Sequence, residues 1–429
     1  MIVVERPNKK EWMKYTSRPG IEKHELDELV SKVIEDVQQN GDKAVQRYTE
    51  KFDGVQLSQF KVAGEEFDKA VGLVSEDLKN AIALAKDNIE KFHKSQILTE
   101  PKVETIEGVE CWRKSVAIEK VGLYIPGGSA PLFSTILMLA IPAKLAGCKE
   151  IVICTPANSS GEVNPAILYT CQLLGVTNVF KVGGSQAIAA MACGTESIPS
   201  VYKIFGPGNQ FVTKAKELIQ QKGVAIDMPA GPSEVLVMAD RTCKPSFVAA
   251  DLLSQAEHGA DSQVILLSDD IEVINEVSLE LSKQLKDLPR KDLAEQALQN
   301  SRAISLNNFE ECIAFSNEYA PEHLIIASES ALECVDSIVN AGSVFLGNYS
   351  CESAGDYASG TNHTLPTNSF ARNYSGVSID SFVKKITFQN LNKKGIENIG
   401  PAIEIMAEAE ELYAHKNAVT LRLNEIRNV

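Results

Sequence analysis

The chain has 429 residues, of which 44% are hydrophobic and 23% charged, and its 57 Asp and Glu against 42 Lys and Arg give a formal net charge of −15. This length predicts two or three domains, and the composition is that of a folded globular protein, which excludes the disordered and fibrous classes. The negative charge argues against nucleic acid and anionic membranes as partners, and because we find neither a signal-peptide core nor an apolar run of membrane-spanning length, we expect a cytoplasmic protein.

The first hundred residues are predicted to form helices. Apolar residues recur at helical spacing in HELDELVSKVIEDVQQ, and Gly41 is expected to stop this helix. Ser75 is the expected N-cap of a later helix in SEDLKNAIALAKDNIEKFH. His24 and His93 lie in these two segments and are predicted to be exposed. We find no chemistry in this region and expect residues 1–104 to form a helical layer that packs on the catalytic unit.

From about residue 119 onwards, strand and helix patterns alternate. Five short β-branched or aromatic runs, from VGLYIP to AIDM, are separated by helical stretches, and a second series follows from SEVLVMAD to GSVFLG, with one long helix predicted to run through about residue 300. Such alternation predicts parallel sheets with helices on both faces. We therefore expect an α/β fold with two Rossmann-like parallel-sheet units, a helical N-terminal region and an extended C-terminal helical tail.

Two segments near the C-terminus fall outside this alternating pattern. About twenty residues between GSVFLG and residue 370 show no periodicity, and a loop that long in a compact domain usually has a function. It contains Asp356 and His363, and each of them could be a metal ligand or a structural turn residue. After about residue 369, the segment PAIEIMAEAEELYAHKNAVTLRLN predicts one amphipathic helix, which must dock elsewhere in the chain or on another subunit.

Glycine turns follow three predicted strands of the first unit: PGG at 126–128, GG at 183–184 and GPGN at 206–209. Backbone N–H groups in such turns can approach a phosphate, and ligands of these folds bind outside the carboxyl ends of the strands. Neither G-x-G-x-x-G nor G-x-x-x-x-G-K-[ST] occurs, so a nucleotide site and plain turn formation are equally supported. Side chains beside the turns could contact such a nucleotide or cap the turns: Tyr124, Gln186 and Asn209.

Residues suited to catalysis or metal binding are concentrated in the second unit. Gln255 and His258, three apart in DLLSQAEHG, share one face of a helix and form either half of a metal site or a hydrogen-bonded pair. Glu322 and His323 come just before the predicted strand HLII, where they are either proton-transfer groups or a salt-bridged surface pair. No H-E-x-x-H motif occurs, so spacing alone does not establish a metal site.

A series of segments resembles the histidinol dehydrogenase family, in the family's order, between about residues 105 and 421. The most specific are GPSEVLV, SQAEHG and APEHL; the others include VGLYIPGGSAPLFST, VGGSQAIAAMACGT, KIFGPGNQFVT, SAGDYASGTNHTLPT and AHKNAVTLRL. The resemblance implies a zinc-dependent, four-electron oxidation of L-histidinol to L-histidine through the aldehyde with two NAD, the last step of histidine biosynthesis.

The resemblance also implies roles for the residues at matching positions. One zinc per subunit would be held by Gln255, His258, Asp356 and His415. Catalytic acid/base chemistry falls to Glu322 and His323. Contacts to the substrate are implied for Ser233, Gln255, His258, His323, Asp356, Glu410 and His415. NAD contacts are implied for Tyr124, Gln186 and Asn209.

The resemblance further implies an intertwined homodimer in which the C-terminal segment of one chain completes the site of the other. The expected organisation is the helical region 1–104, an NAD-binding α/β domain at 123–231, a catalytic zinc-binding α/β domain formed by 105–122 and 232–368, and a dimerisation tail at 369–429.

In the implied reaction, His323 accepts the proton of the alcohol and Glu322 activates water to hydrate the aldehyde. A related zinc- and NAD-dependent dehydrogenase of another small alcohol is one alternative. A metal-dependent hydrolase would also use the dispersed His, Asp and Glu residues, but it would leave the glycine turns without a function. A two-lobed binding protein is disfavoured because such proteins are usually exported and the sequence has no signal peptide.

Overall fold

The computed structural model describes residues 1–18, 23–127 and 131–427. The strands in these ranges form a five-stranded, a six-stranded and a three-stranded sheet. In chain order they are β1 (Ile2–Glu5), β2 (Val103–Ile106), β3 (Val109–Ala117), β4 (Lys120–Tyr124), β5 (Glu150–Cys154), β6 (Val179–Phe180), β7 (Lys203–Phe205), β8 (Ala225–Ile226), β9 (Glu234–Ala239), β10 (Gln263–Ser268), β11 (Arg302–Ser305), β12 (His323–Ala327), β13 (Ser343–Leu346) and β14 (Val383–Leu391).

The helices lie mainly between these strands and in the N- and C-terminal regions. In chain order they are α1 (Trp12–Tyr15), α2 (Lys23–Asp53), α3 (Gly64–Leu73), α4 (Glu76–Lys94), α5 (Phe133–Ala146), α6 (Pro165–Leu173), α7 (Gly184–Cys193), α8 (Gln210–Gln220), α9 (Pro245–Ala256), α10 (Ile271–Gln284), α11 (Lys291–Gln299), α12 (Phe309–Tyr319), α13 (Glu352–Tyr357), α14 (Lys393–Ala409) and α15 (Tyr413–Arg427). As predicted, Ser75 caps α4 by accepting the N–H of Leu78, and Gly41 interrupts α2 with a left-handed φ of 52°.

The five-stranded sheet is parallel and has the order β6-β5-β4-β7-β8. Successive residues of its strands enter cores on opposite faces: Leu123 and Ile153 join one apolar cluster, while Tyr124 and Cys154 join the other. Because both faces are covered, the strands are continuous apolar runs, as the sequence indicated. The chain leaves β4 in one direction towards β5 and later returns to its other side at β7, so the order reverses between β4 and β7.

The six-stranded sheet, also parallel, has the order β1-β11-β10-β9-β12-β13. Residues of β9 alternate between two cores, with Val235 and Val237 on one face and Leu236 and Met238 on the other. The order reverses between β9 and β12, as it does between β4 and β7 in the first sheet. The predicted α/β class with two parallel-sheet units is therefore confirmed.

The N-terminal region differs from the prediction in two respects. Its first residues form β1, which is the edge strand of the six-stranded sheet and pairs in parallel with β11. The helices that follow cover the five-stranded unit instead of the catalytic one, since α2 packs on α7 and α8, α3 on α6, and α4 on α5. His93 is fully buried, because the face of α4 that carries it packs inwards. The side chain of His24 lies outside the described residues.

The C-terminal tail also departs from the prediction of a single helix. β14 pairs with β3 in an antiparallel ladder from Val383 to Leu391, and β2 completes this three-stranded sheet. Two helices follow it, α14 and α15, which pack against each other. The helical backbone is interrupted between them at Glu411, which has a left-handed φ of 58°. The tail is thus anchored to residues 109–117 of its own chain.

Two smaller differences affect the second unit. The long helix expected to end near residue 300 is divided into α10 and α11 by a 3₁₀ turn at Leu285–Asp287. The aperiodic segment before residue 370 contains the short helix α13. Within the described ranges, no helix has both the length and the apolar character needed to cross a bilayer.

Candidate active site and metal centre

Glu322 and His323 lie at the amino end of β12, where the sheet order reverses. They are 7% and 3% exposed, so the interpretation of this dipeptide as a surface salt bridge is wrong. The Glu322 carboxylate accepts the backbone N–H of Glu234 at 2.9 Å and the side-chain amide of Gln255 at 3.3 Å. Nδ1 of His323 lies 3.2 Å from the carbonyl oxygen of Glu234. Since a carbonyl only accepts, Nδ1 carries a proton, and Nε2 is the nitrogen that can exchange a proton with a substrate.

Three side chains, one just after α9 and two on α13, converge beside this pair. The ligand atoms of His258, Glu352 and Asp356 all lie within 4.8 Å of one another. His258 follows the end of α9, while Glu352 and Asp356 are four residues apart on α13 and therefore share one face of that helix. Nε2 of His323 lies 3.4 Å from a carboxylate oxygen of Asp356, which joins this group to the acid/base pair.

The donor atoms of this group fit a divalent cation. Oxygen atoms of Glu352 and Asp356, and Nε2 of His323, are buried and have no hydrogen-bond partner. Buried polar atoms are rarely left unpaired, because the lost hydration costs free energy. Imidazole and carboxylate groups are ordinary zinc ligands. The amide N–H of Gln255 donates to Glu322, and this contact leaves the amide oxygen of Gln255 free to face a cation.

The charges in this cluster shift the titration of its members. Burial raises the pKa of Glu322 to about 8 and also raises that of Glu352. Burial alone would lower the pKa of His323, but the carboxylates of Glu352, Glu322 and Asp356 outweigh it and raise this pKa to about 10. Burial disfavours the Asp356 carboxylate too, yet its contact with His323 lowers its pKa. Neutralising the carboxylates with a cation would weaken their hold on the His323 proton.

The chain by itself does not bring all four predicted zinc ligands together. His258 and Asp356 meet in one group, and Gln255 is joined to them through Glu322 and His323. His415 is exposed in the first turn of α15 and is not part of the group, and Glu410 is exposed at the end of α14. Ser233 is half-buried just before β9.

The three side chains beside the glycine turns make local contacts. The hydroxyl of Tyr124 accepts the N–H of Gly184 at 3.1 Å, and Asn209 caps α8 by accepting two N–H groups. Gln186 donates to Asp53 at 3.3 Å, while its buried amide oxygen has no partner. Turn stabilisation therefore accounts for the polar groups of Tyr124 and Asn209, but it leaves one polar atom of Gln186 unexplained.

The first of these turns, at Gly127, nevertheless borders a crevice, whose described lining residues include none of Tyr124, Gln186 and Asn209. A cavity of about 270 Å³ lies beside β4 and β5 and is lined in part by Gly127, Pro156 and Asn158. Gly206, after β7, has a φ of 125°, and a Cβ there would overlap the carbonyl of Tyr124. The carboxyl edge of the five-stranded sheet contains the reversal of strand order, where ligands of doubly wound sheets bind. Gly128 of the first turn lies outside the described residues.

His363 lies between α5 and α13 and contacts both. Its Nε2 lies 3.1 Å from the hydroxyl of Thr135 in the first turn of α5, which follows the turn after β4. Its Nδ1 lies 2.9 Å from the carbonyl oxygen of Asp356. One imidazole therefore spans the distance between the carboxyl edge of the first sheet and the cluster at the amino edge of the second.

Sequence reasoning missed several polar residues of the site. Glu352 is the clearest, because its segment was predicted to be an aperiodic loop; a helix there would have placed it on the same face as Asp356. Glu234 and Thr135 were missed since they contribute through contacts between distant segments. Asp53 was assigned to a region without chemistry. No local pattern distinguishes these three residues.

Comparisons with known proteins agree on one family. The family profile described as "Histidinol dehydrogenase" matches residues 16–423. Histidinol dehydrogenase from Bacteroides thetaiotaomicron is 57% identical over 427 residues, covering 100% of both chains, and that from Escherichia coli strain K12 is 52% identical over 413 residues, covering 96% of this chain and 94% of the relative. The crystal structure of histidinol dehydrogenase from Elizabethkingia anophelis superimposes with a TM-score of 0.98 at 59% identity, covering 100% of this chain and 99% of that one.

Proposed function

The chain belongs to the histidinol dehydrogenase family of oxidoreductases, and on this premise we propose that it oxidises L-histidinol to L-histidine through the aldehyde, with two NAD and one zinc per subunit. This reaction would be the last step of histidine biosynthesis, carried out in the cytoplasm. The observation that carries the proposal is the buried Glu322–His323 pair 3.4 Å from Asp356, within the group of potential metal ligands.

His258, Asp356 and Gln255 are the residues of this chain that would hold the zinc, with His415 supplied by the tail. Glu352 lies in the same group and is a further candidate ligand. Zinc with nitrogen and oxygen ligands, when bound, can take the imidazole and amine nitrogens of the substrate in its open positions. The buried oxygens of Glu352 and Asp356 support this assignment, since neither accepts a hydrogen bond and that of Asp356 has only the 3.4 Å ionic contact with Nε2 of His323.

Tyr124, Gln186 and Asn209 are the proposed NAD contacts. NAD, when bound, supplies the hydride acceptor for both oxidations. The unpartnered amide oxygen of Gln186 supports this assignment, as does the place of all three residues at the carboxyl edge of the five-stranded sheet, where the strand order reverses. The contact from His363 to Thr135 supports a short path between cofactor and substrate, because it joins the two halves of the site.

His323 and Glu322 would perform the proton transfers. Nδ1 of His323 is committed to the carbonyl of Glu234, so Nε2 is the atom that takes the proton of the alcohol and later that of the hydrated aldehyde. Burial favours the neutral form of Glu322, whose pKa is raised to about 8, and a carboxyl with that pKa can exchange a proton with water near neutral pH. Ser233 and, from the tail, Glu410 would contact the substrate.

The experiment that tests this proposal is an assay of the metal-loaded protein with L-histidinol and NAD. We expect two NADH per histidinol consumed, with zinc found at one equivalent per subunit by metal analysis. One NADH per molecule, obtained only with a different small alcohol, would favour the related dehydrogenase. No rise in NADH absorbance with any divalent metal would contradict dehydrogenation and favour a hydrolase.

A further inference from the structure

A buried ion pair lies directly behind the acid/base pair. Arg18 makes a two-pronged contact with Glu234, in which both nitrogen–oxygen distances are 2.9 Å. The two side chains are 8% and 1% exposed, and the guanidinium stacks 3.6 Å above the ring of Tyr319. Replacing such pairs by apolar residues is often neutral or stabilising, so stability alone does not account for this one.

The remaining polar atoms of the pair bind three other segments. Arg18 donates to the carbonyl oxygens of Thr16 and Tyr319 and to the hydroxyl of Ser369. Glu234 accepts the N–H of Asn368 at 2.8 Å. Asn368 and Ser369 both have a left-handed backbone, with φ of 53° and 62°, which non-glycine residues adopt only when their surroundings impose it. The pair thus holds the segment after α1 at Thr16, the end of α12 at Tyr319 and the segment after α13 at Asn368 and Ser369.

The backbone of the same residue, Glu234, holds the acid/base pair. Its N–H donates to the carboxylate of Glu322 at 2.9 Å, and its carbonyl accepts from Nδ1 of His323 at 3.2 Å. Glu234 is also the first residue of β9, and its N–H and carbonyl belong to the two peptides on either side of its Cα, so a shift of this residue would move both groups. The side chain that Arg18 anchors therefore determines where this N–H and this carbonyl point.

We propose that Arg18 and Glu234 are positioning residues for the reaction: their ion pair fixes the backbone of Glu234, whose N–H orients Glu322 and whose carbonyl selects the Nδ1-protonated tautomer of His323. The expected change in kcat rests on the proposed function, but the tautomer of His323 can be observed without any turnover.

The test uses the full-length, zinc-loaded protein and three variants. Arg18→Met combined with Glu234→Gln removes both charges together, which avoids an uncompensated buried charge. Arg18→Lys keeps the charge but cannot make the two-pronged contact. Lys214→Met is the matched control. Lys214 is about as buried as Arg18 and forms an ion pair with Asp27 that joins α8 to α2, away from the acid/base pair. For each protein we would measure thermal stability, zinc content, kcat, the KM for NAD and the ¹⁵N shifts of the His323 ring, assigned with His323→Asn.

In the double variant we expect kcat to fall about 10- to 100-fold, since small misplacement of reacting groups has effects of that size, with zinc content and the KM for NAD unchanged within about twofold. The ¹⁵N shifts should show a mixture of tautomers, Arg18→Lys should lie between the double variant and the wild type, and Lys214→Met should change stability only. Wild-type kcat and ring shifts in the folded double variant, or in Arg18→Lys if the double variant does not fold, would overturn the proposal. If the wild type does not reduce NAD with histidinol, the proposed function fails, and the ring shifts still decide the positioning role.

Discussion

His323→Asn and His258→Asn are expected to affect different properties of the protein: kcat in the first variant and zinc content in the second. His323→Asn removes the proposed base and should lower kcat by about 10²–10⁴ while zinc is retained. His258→Asn removes a proposed ligand and should leave the protein with less than one zinc per subunit. Both side chains lie next to Asp356, so each variant is the control for the other. Metal analysis and kcat for both variants check this; a full complement of zinc in His258→Asn would remove that residue from the ligand set.

At the residue scale, the sequence identified side chains by type and motif but not by their neighbours. The structure brings together His258, Asp356, Glu322 and His323, although they come from segments up to 98 residues apart in the sequence. Glu352 was not identified, because no periodicity indicated the short helix that aligns it with Asp356. Such contacts between distant segments depend on the packing of whole elements, which residue spacing does not encode.

The end of helix α2 gives a pH dependence that can be measured. Burial raises the pKa of Asp53 from 3.8 to about 6, although a hydrogen bond from the N–H of Gly183 acts in the opposite direction. The folded state therefore keeps this proton to higher pH than the unfolded chain does. The bound proton therefore stabilises the fold at low pH, and this stabilisation should be lost as the pH rises from about 4 to 6. Above pH 6 the full cost of burying the charged carboxylate should apply.

Asp53→Asn removes this titration. The free energy of unfolding of the variant minus that of the wild type should therefore be more favourable to the variant at pH 7.5 than at pH 4. Guanidinium unfolding at both pH values and one protein concentration measures the difference. Asp336→Asn, the same change at an exposed aspartate, is the control. An Asp53→Asn difference that is equal at the two pH values would show that the group has an ordinary pKa.

At the element scale, the two parallel-sheet units could be predicted because their signals are local. Buried parallel strands are short β-branched runs, and glycine turns punctuate them, so each strand or helix can be recognised from its own residues. β1 and β14 could not be recognised in this way, since each is defined by a distant partner, β11 and β3 respectively. The break before α15 falls at Glu411, where neither glycine nor proline marks the end of a helix.

At the scale of the whole molecule, the tail presents apolar side chains that the single chain does not cover. Ile405, Met406, Tyr413 and Leu421 are each at least 60% exposed, and they lie on α14 and α15 beside Glu410 and His415. Where such exposed apolar side chains form a patch, they mark protein–protein interfaces. A two-fold symmetric dimer would bury this surface, and it could carry His415 of each chain to the cluster of the other.

Mixed dimers test whether sites are shared between subunits. In a dimer of one His258→Asn chain and one His415→Asn chain, shared sites would leave one site with both changes and the other with none. We therefore expect purified heterodimers to regain about half of the wild-type kcat per dimer, while each parent homodimer stays inactive. Differently tagged subunits allow the heterodimer to be isolated and assayed.

The matched control combines His258→Asn with Asp356→Asn, two positions that meet within one chain, so both of its sites carry a lesion and it should stay inactive. Inactivity of both heterodimers would mean that His415 acts within its own chain. Activity of the His415→Asn homodimer would instead remove His415 from the ligand set.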